Sequence, residues 1–195
     1  GLLWAASVIY WALNAVNINI NIRNACVFLG PLFAGFTSLS AYKFTTEVTR
    51  RPSAGLLAAA TIAIVPSYIS RSGAGGYDNE AIAIFALVNT FWLWVKAVDT
   101  GSTFWATLAA LSYLLMVASW GGYIFVGNLI AIHVCMLIAA GRFSPRLYVA
   151  YTTFYTLGSI IAIQVPFVGF NIATAAENAS THGTFVVLQA YALIV

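Results

Sequence analysis

Ala81-Ile82-Ala83-Ile84-Phe85-Ala86-Leu87-Val88-Asn89-Thr90-Phe91-Trp92-Leu93-Trp94-Val95-Lys96-Ala97-Val98 is the stretch on which the fold turns. It carries a single charge, Lys96, close to its end. A run of about 18 or more apolar residues is long enough to cross a bilayer as a helix. Its apolar side chains follow one another without the alternation of a barrel strand, so a helix, with every backbone bond internal, is expected. Immediately before it stands Arg71-Ser72-Gly73-Ala74-Gly75-Gly76-Tyr77-Asp78-Asn79-Glu80, a glycine-rich turn that ends in two carboxylates. The chain has only five acidic residues: Glu47, Asp78, Glu80, Asp99 and Glu177. Acids beside a bilayer are costly, so a close pair of them at a membrane edge is read first as functional.

The same apolar pattern recurs outward from this run. Pro31 to Thr46 (with a flank from Cys26), Ala54 to Ile69, Phe104 to Ser119, Tyr123 to Ala140 and Leu147 to Phe170 are further candidate spans, and a seventh begins near Thr184. The 195 residues are 62% hydrophobic and 7% charged, against about 25% charged in a soluble domain. Such a chain cannot cover a surface with polar groups, and the expected fold class is an all-α polytopic membrane protein. The plentiful Ala, Gly, Ser and Thr within the runs suit close helix packing in lipid. The net charge of +3 rests on scattered basic residues and offers no nucleic-acid surface. Cys26 and Cys135 lie in apolar runs and read as unpaired buried thiols. The sequence has no initiator Met and stops inside an apolar run, so a piece of a longer chain is expected. Gly1 to Ile20 either spans or lies on the membrane surface as a helix.

Orientation follows from the basic residues. Arg50-Arg51 and Arg142 to Arg146 fall in loops separated by an even number of spans, and the positive-inside rule makes their side cytoplasmic. That parity places Ser70 to Glu80, Trp120-Gly121-Gly122 and Asn171 to Gly183 on the opposite side, with Arg23 as the exception.

Asp78 and Glu80 are the first candidates for chemistry. Hard divalent cations such as Mg²⁺ and Mn²⁺ prefer carboxylate oxygens, and an Asp-x-Glu pair on one side of a turn can share an ion that also holds pyrophosphate. Gly73, Gly75 and Gly76 allow the dihedrals of a tight loop. The alternative is structural: Asp78 caps the third run's helix, with Glu80 in its first turn facing the positive end of the dipole. Arg71 either pairs with Asp78 or a phosphate, or anchors at the interface. Trp120 is an interface anchor, or else the two glycines after it let a lipid chain or isoprenoid approach the backbone. Asn178-Ala179-Ser180 fits the N-glycosylation acceptor pattern. Glu177 with nearby His182 is too sparse for a metal site, and His133, in the middle of a run, reads as a hydrogen-bonded packing residue. No Walker-type phosphate loop, paired-Cys motif or nucleophile elbow occurs.

The segment Tyr68 to Phe85, including Gly75-Gly76-Tyr77-Asp78-Asn79-Glu80, resembles the second acidic motif of the catalytic subunit of oligosaccharyltransferase, in its eukaryotic form. Met116 to Tyr123, Arg146 to Tyr151 and Gln164 to Phe170 are similar to later segments of that family. The resemblance implies a partial transmembrane region of the lipid-sugar-dependent, GT-C type. It implies a lumenal loop or surface-helix region at 1–22 and a multispanning domain of about six to seven spans at 23–195. The implied activity is transfer of a preassembled oligosaccharide from dolichyl pyrophosphate to the Asn of Asn-x-Ser/Thr, on the lumenal side of the endoplasmic reticulum membrane. Implied partners are that lipid donor, an acceptor polypeptide, membrane lipids and other subunits. Asp78 and Glu80 would then serve the Mn²⁺ or Mg²⁺ site and catalysis, and Trp120, with Arg71, would lie near the donor.

The family's first acidic motif is expected before Gly1, and its Ser-x-Ser-Glu and Trp-Trp-Asp-Tyr-Gly motifs beyond Val195. Its Ser-Ser-Glu-His pattern reads Ala175-Ala176-Glu177-Asn178 here. This stretch alone is therefore expected to be inactive. The rival readings are a transporter or flippase, with breaks at Pro66 and Pro166, and a non-catalytic membrane scaffold.

Overall fold

The computed structural model describes residues 1–194. Among them every regular element is helical, and the chain divides into two compact units, Gly1–Asn89 and Thr90–Val195. The first unit holds α1 (Leu2–Ala15), α2 (Ile22–Thr49), α3 (Pro52–Ile64), α4 (Pro66–Ser72) and the first half of α5 (Asn79–Thr100). The second holds the rest of α5, α6 (Thr103–Ser119), α7 (Tyr123–Ala139), α8 (Pro145–Ile163), α9 (Asn171–Thr174), a 3-10 turn (Ala176–Asn178) and α10 (Ala179–Ile194).

Local chemistry sets the boundaries of the first unit. Asn21 caps α2, its side chain accepting the Arg23 N–H at 3.2 Å. The helix ends at Arg50, which adopts the left-handed conformation (φ 57°). Arg51 and Val65 each precede a proline and are extended, because the proline ring disfavours the helical region one residue earlier. The run expected to be continuous from Ala54 to Ile69 is therefore broken at Val65-Pro66, and α3 and α4 meet at a bend of 60°. Proline at the first helical position starts both halves.

By length and apolar composition α2 and α5 can each cross a membrane, and the bent α3–α4 pair makes a third crossing if it counts as one. α1, with 14 residues, extends about 21 Å, short of the roughly 30 Å hydrocarbon core. Trp4 and Trp11 stand exposed along it.

In the second unit α6 and α8 pack closely through small residues: Ala106, Ala109 and Ala110 of α6 and Ala150 of α8 are fully buried. Trp94, Tyr151 and Phe154 form an aromatic cluster beside them. α8 stops at Ile163, so the run expected to reach Phe170 ends in turns, with Pro166 outside the helix. Both cysteines are free, as expected, but neither is buried: Cys26 is half-buried and Cys135 is exposed.

Candidate functional site

The glycine-rich turn is a short elbow between α4 and α5. Gly75 takes φ 87°, a left-handed conformation that side chains rarely adopt, and its N–H donates to Val27 O of α2 at 3.1 Å. Beneath the elbow the buried Tyr68 hydroxyl donates to Ala81 O at 3.2 Å and meets Thr37 Oγ1 at 2.6 Å. One side chain of α4 thus fixes the start of α5 against α2.

On this frame three charges converge. Arg71 Nη1 lies 3.1 Å from Asp78 Oδ2, and Arg71 Nε lies 3.1 Å from Glu80 Oε2. Arg71 stands in the last turn of α4, where the helix dipole favours a cation. Asp78 and Glu80 stand at the start of α5, where it favours anions. Asp78 Oδ1 also accepts the Glu80 N–H at 3.1 Å, so Asp78 does the capping that its position suggested. That backbone N–H, the largest cause, holds the Asp78 carboxyl below its ordinary value of 3.8; burial opposes it, and the Arg71 guanidinium adds to the lowering.

The donor set suits a hard divalent cation in kind but not in number. Asp78 and Glu80 offer carboxylate oxygens, yet among the described residues no three His, Cys, Asp or Glu side chains cluster. The pair fits part of a Mn²⁺ or Mg²⁺ coordination sphere, with the remaining positions left to water, substrate oxygens or other protein groups. Arg71 already occupies one oxygen of each carboxylate, so a cation there competes with it or shares their remaining lone pairs.

The other candidates lie in the second unit. Trp120 caps the C-terminus of α6 in an extended conformation and is 41% exposed. A Cβ on Gly122 would collide with the Trp120 ring, so Gly122 seats the indole and is closed to a lipid chain. Only Gly121 is open, with nothing within 4 Å of a Cβ there. Asn178 does not fit the acceptor role. It is 4% exposed, in the 3-10 turn, and its Nδ2, the atom that would carry the sugar, is buried without a partner. His182 is engaged at both nitrogens, with the Tyr155 hydroxyl at 2.7 Å and Ile172 O at 3.0 Å, and acts as a brace. His133 Nδ1 accepts the Trp94 indole N–H at 3.2 Å.

Two structural residues had escaped the sequence reading. Tyr68 is the first. Asn128 on α7 is the second: its Nδ2 donates to Glu177 O at 2.8 Å, and its Oδ1 accepts from Ser180 Oγ at 2.6 Å and Thr181 Oγ1 at 2.9 Å. A lone Asn inside the apolar run from Tyr123 was the available signal.

Comparison with known proteins places these residues in context. The family model described as oligosaccharyl transferase STT3, N-terminal, matches residues 1–194. The chain is 51% identical over its whole length to the dolichyl-diphosphooligosaccharide–protein glycosyltransferase subunit stt-3 of Caenorhabditis elegans, covering 26% of that protein. It is 49% identical over 98% of its length to the STT3 subunit of Dictyostelium discoideum, covering 27% of it. It is 50% identical over its whole length to subunit STT3A of Oryza sativa subsp. japonica, covering 24% of it. The chain thus spans about a quarter of the length of the curated relatives it matches.

Proposed function

The chain belongs to the oligosaccharyl transferase STT3 family, and on that premise we propose that it forms part of a catalytic subunit that transfers a preassembled oligosaccharide from dolichyl pyrophosphate to the Asn side chain of Asn-x-Ser/Thr. Supporting this reading is one observation above all: Asp78 and Glu80 share a single guanidinium at the N-terminus of α5. The membrane region is proposed to make six to seven crossings, with α6, α7 and α8, of 17, 17 and 19 residues, joining the longer helices. Residues 1–22 then form a surface region, and the elbow faces the lumen of the endoplasmic reticulum.

An amide nitrogen is a poor nucleophile because its lone pair is delocalised into the carbonyl. A carboxylate that accepts hydrogen bonds from the acceptor N–H groups orients that nitrogen and favours loss of the delocalisation. Asp78 is proposed as a metal ligand, and Glu80 as a second ligand or as the group that orients the acceptor amide. When bound, Mn²⁺ or Mg²⁺ supplies stabilisation of the charge that develops on the departing diphosphate. Arg71 holds both carboxylates in place and presents its charge beside the same leaving group. Trp120 is proposed to contact the isoprenoid part of the donor. Further subunits of the enzyme are proposed partners.

The test separates a metal ligand from a helix cap. Asp78→Asn keeps an oxygen that can accept the Glu80 N–H but removes the charge. Asp78→Ala removes both. In the full-length enzyme, assayed with a labelled acceptor peptide and Mn²⁺, both variants should lose transfer while remaining folded. Full activity in Asp78→Asn, with loss in Asp78→Ala, would reduce Asp78 to a cap and sink the assignment.

A further inference from the structure

The second unit holds a cavity of about 20 Å³ among α6, α7, α8 and the start of α10. Gly127 of α7 lines it, and a Cβ there would lie 3.2 Å from the Tyr113 hydroxyl oxygen and 3.6 Å from Thr181 Oγ1. The open spot beside Gly127 is therefore within reach of both oxygens. Asn178 and Ser159 also line the cavity. Asn178 is 4% exposed, and its Nδ2 is buried without a partner. The hydroxyls of Tyr113 and Ser159 make no hydrogen bond to another described residue.

A single buried water needs roughly 10–15 Å³ of such space and two to four polar partners. The cavity has room for one water and for nothing larger. Its donors and acceptors narrow the occupant further. The Asn178 amide nitrogen only donates, so the group that faces it must accept. Thr181 Oγ1 already gives its proton to Asn128 Oδ1 at 2.9 Å. Towards the cavity Thr181 can therefore only accept, and the group that faces it must donate. A metal cation has no proton to donate, an ammonium has no lone pair to accept with, and a simple anion has nothing to donate. Water does both, and the hydroxyls of Tyr113 and Ser159 can rotate to suit it. An amide donor sealed in the interior and left unpaired is costly, which favours the filled site.

We propose that this cavity is a binding site for one ordered water, which accepts from Asn178 Nδ2, donates to Thr181 Oγ1 and takes the Tyr113 hydroxyl as a third partner. The water lengthens the network around Asn128: Asn178 donates to water, water to Thr181, and Thr181 to Asn128. It thereby ties the segment that carries Glu177 to α6 as well as to α7. The site is independent of the chemistry proposed at Asp78 and Glu80.

The experiment uses the full-length protein in its native membrane complex. A cryo-electron-microscopy map sharp enough to resolve waters should show one peak within about 2.7–3.2 Å of both Asn178 Nδ2 and Thr181 Oγ1. Gly127→Ala places a methyl in the same spot. In a wet cavity the methyl expels the water, and amide exchange at 177–181 should rise several-fold. In a dry cavity the methyl fills space, and exchange should slow or stay the same. Adding Tyr113→Phe removes the oxygen on which the methyl presses. Exchange that stays high in the double variant traces the loss to the water, whereas recovery traces it to the clash. A map with no peak, a peak out of reach of Asn178 Nδ2, slowed or unchanged exchange in Gly127→Ala, or recovery in the double variant would overturn the site.

Discussion

Arg71 and Glu80 meet through Nε and Oε2 at 3.1 Å, on the same guanidinium whose Nη1 holds Asp78. Two nitrogens of one rigid, planar group therefore set the spacing of two carboxylates. A lysine ammonium is a single point charge on a flexible stem and cannot reproduce that spacing. The cluster is also half-exposed, so it contributes little to folding. Arg71→Lys should change the stability of the full-length enzyme by less than about 1 kcal/mol. Turnover should fall about 10- to 100-fold, as expected when reacting groups are slightly misplaced. Thermal denaturation measured beside peptide glycosylation checks both; a turnover equal to wild type would remove Arg71 from the positioning role.

The Asp78 carboxyl gives a pH signature. Its folded value is below 3.8, so its contribution to stability is complete above pH 3.8 and is lost as pH falls through the lower folded value. The Glu80 N–H is the larger cause and Arg71 the smaller. In protein carrying ¹³C at Asp78, the carboxyl resonance should titrate below 3.8 without metal. Arg71→Gln should raise the midpoint while leaving it below 3.8. A midpoint at or above 3.8 in the wild type would show that the cap does not form.

Most of the helix order was legible in the sequence because long apolar runs report directly on spanning helices. The run from Ala81 to Val98 became the core of α5 almost unchanged. The break at Val65-Pro66 was harder to place, because Pro66 lies inside an otherwise unbroken apolar run and its bend depends on backbone geometry. The elbow's charges were legible because acids are so scarce here. That Arg71 takes both carboxylates was not, since the reach between α4 and α5 depends on Tyr68, a residue whose role is visible only when Thr37 and Ala81 come beside it. Asn178 misled for the opposite reason: a three-residue pattern carries no information about burial.

Tyr68→Phe tests that hidden anchor. The change removes only the hydroxyl: in a buried place Ala81 O loses its side-chain donor, and Thr37 Oγ1 keeps only its bond to Phe33 O. A lost buried hydrogen bond with its partner stranded costs about 1–3 kcal/mol. The full-length protein should lose thermal stability accordingly, and amide exchange in the 73–78 elbow should quicken. An unchanged exchange rate there would mean that the loop is held without Tyr68.

Asn128 offers a parallel test in the second unit. Asn128→Ala deletes one donor and one acceptor that together serve Glu177, Ser180 and Thr181. Asn128→Asp keeps the acceptor for the two hydroxyls but loses the donor to Glu177 O. Exchange of the amides at 177–181 should therefore rise most in Asn128→Ala and less in Asn128→Asp. Equal protection in all three proteins would remove Asn128 as the staple of this segment.

Gly121 and Gly122 are adjacent and chemically identical, yet they should respond differently to a methyl group. At Gly122 the added Cβ would run into the Trp120 ring, whereas at Gly121 it would meet nothing within 4 Å. Gly122→Ala must displace the indole, at a cost typical of overpacking, about 1–3 kcal/mol. Gly121→Ala should stay within about 0.5 kcal/mol of wild type. If Trp120 contacts the isoprenoid of the donor, moving its ring weakens binding without touching the reacting groups. Gly122→Ala should then raise KM for the lipid-linked oligosaccharide and leave kcat near the wild-type value. Steady-state kinetics with the donor varied would show it, and an unchanged KM in Gly122→Ala, with Trp120 visibly moved, would leave the indole as an interface anchor alone.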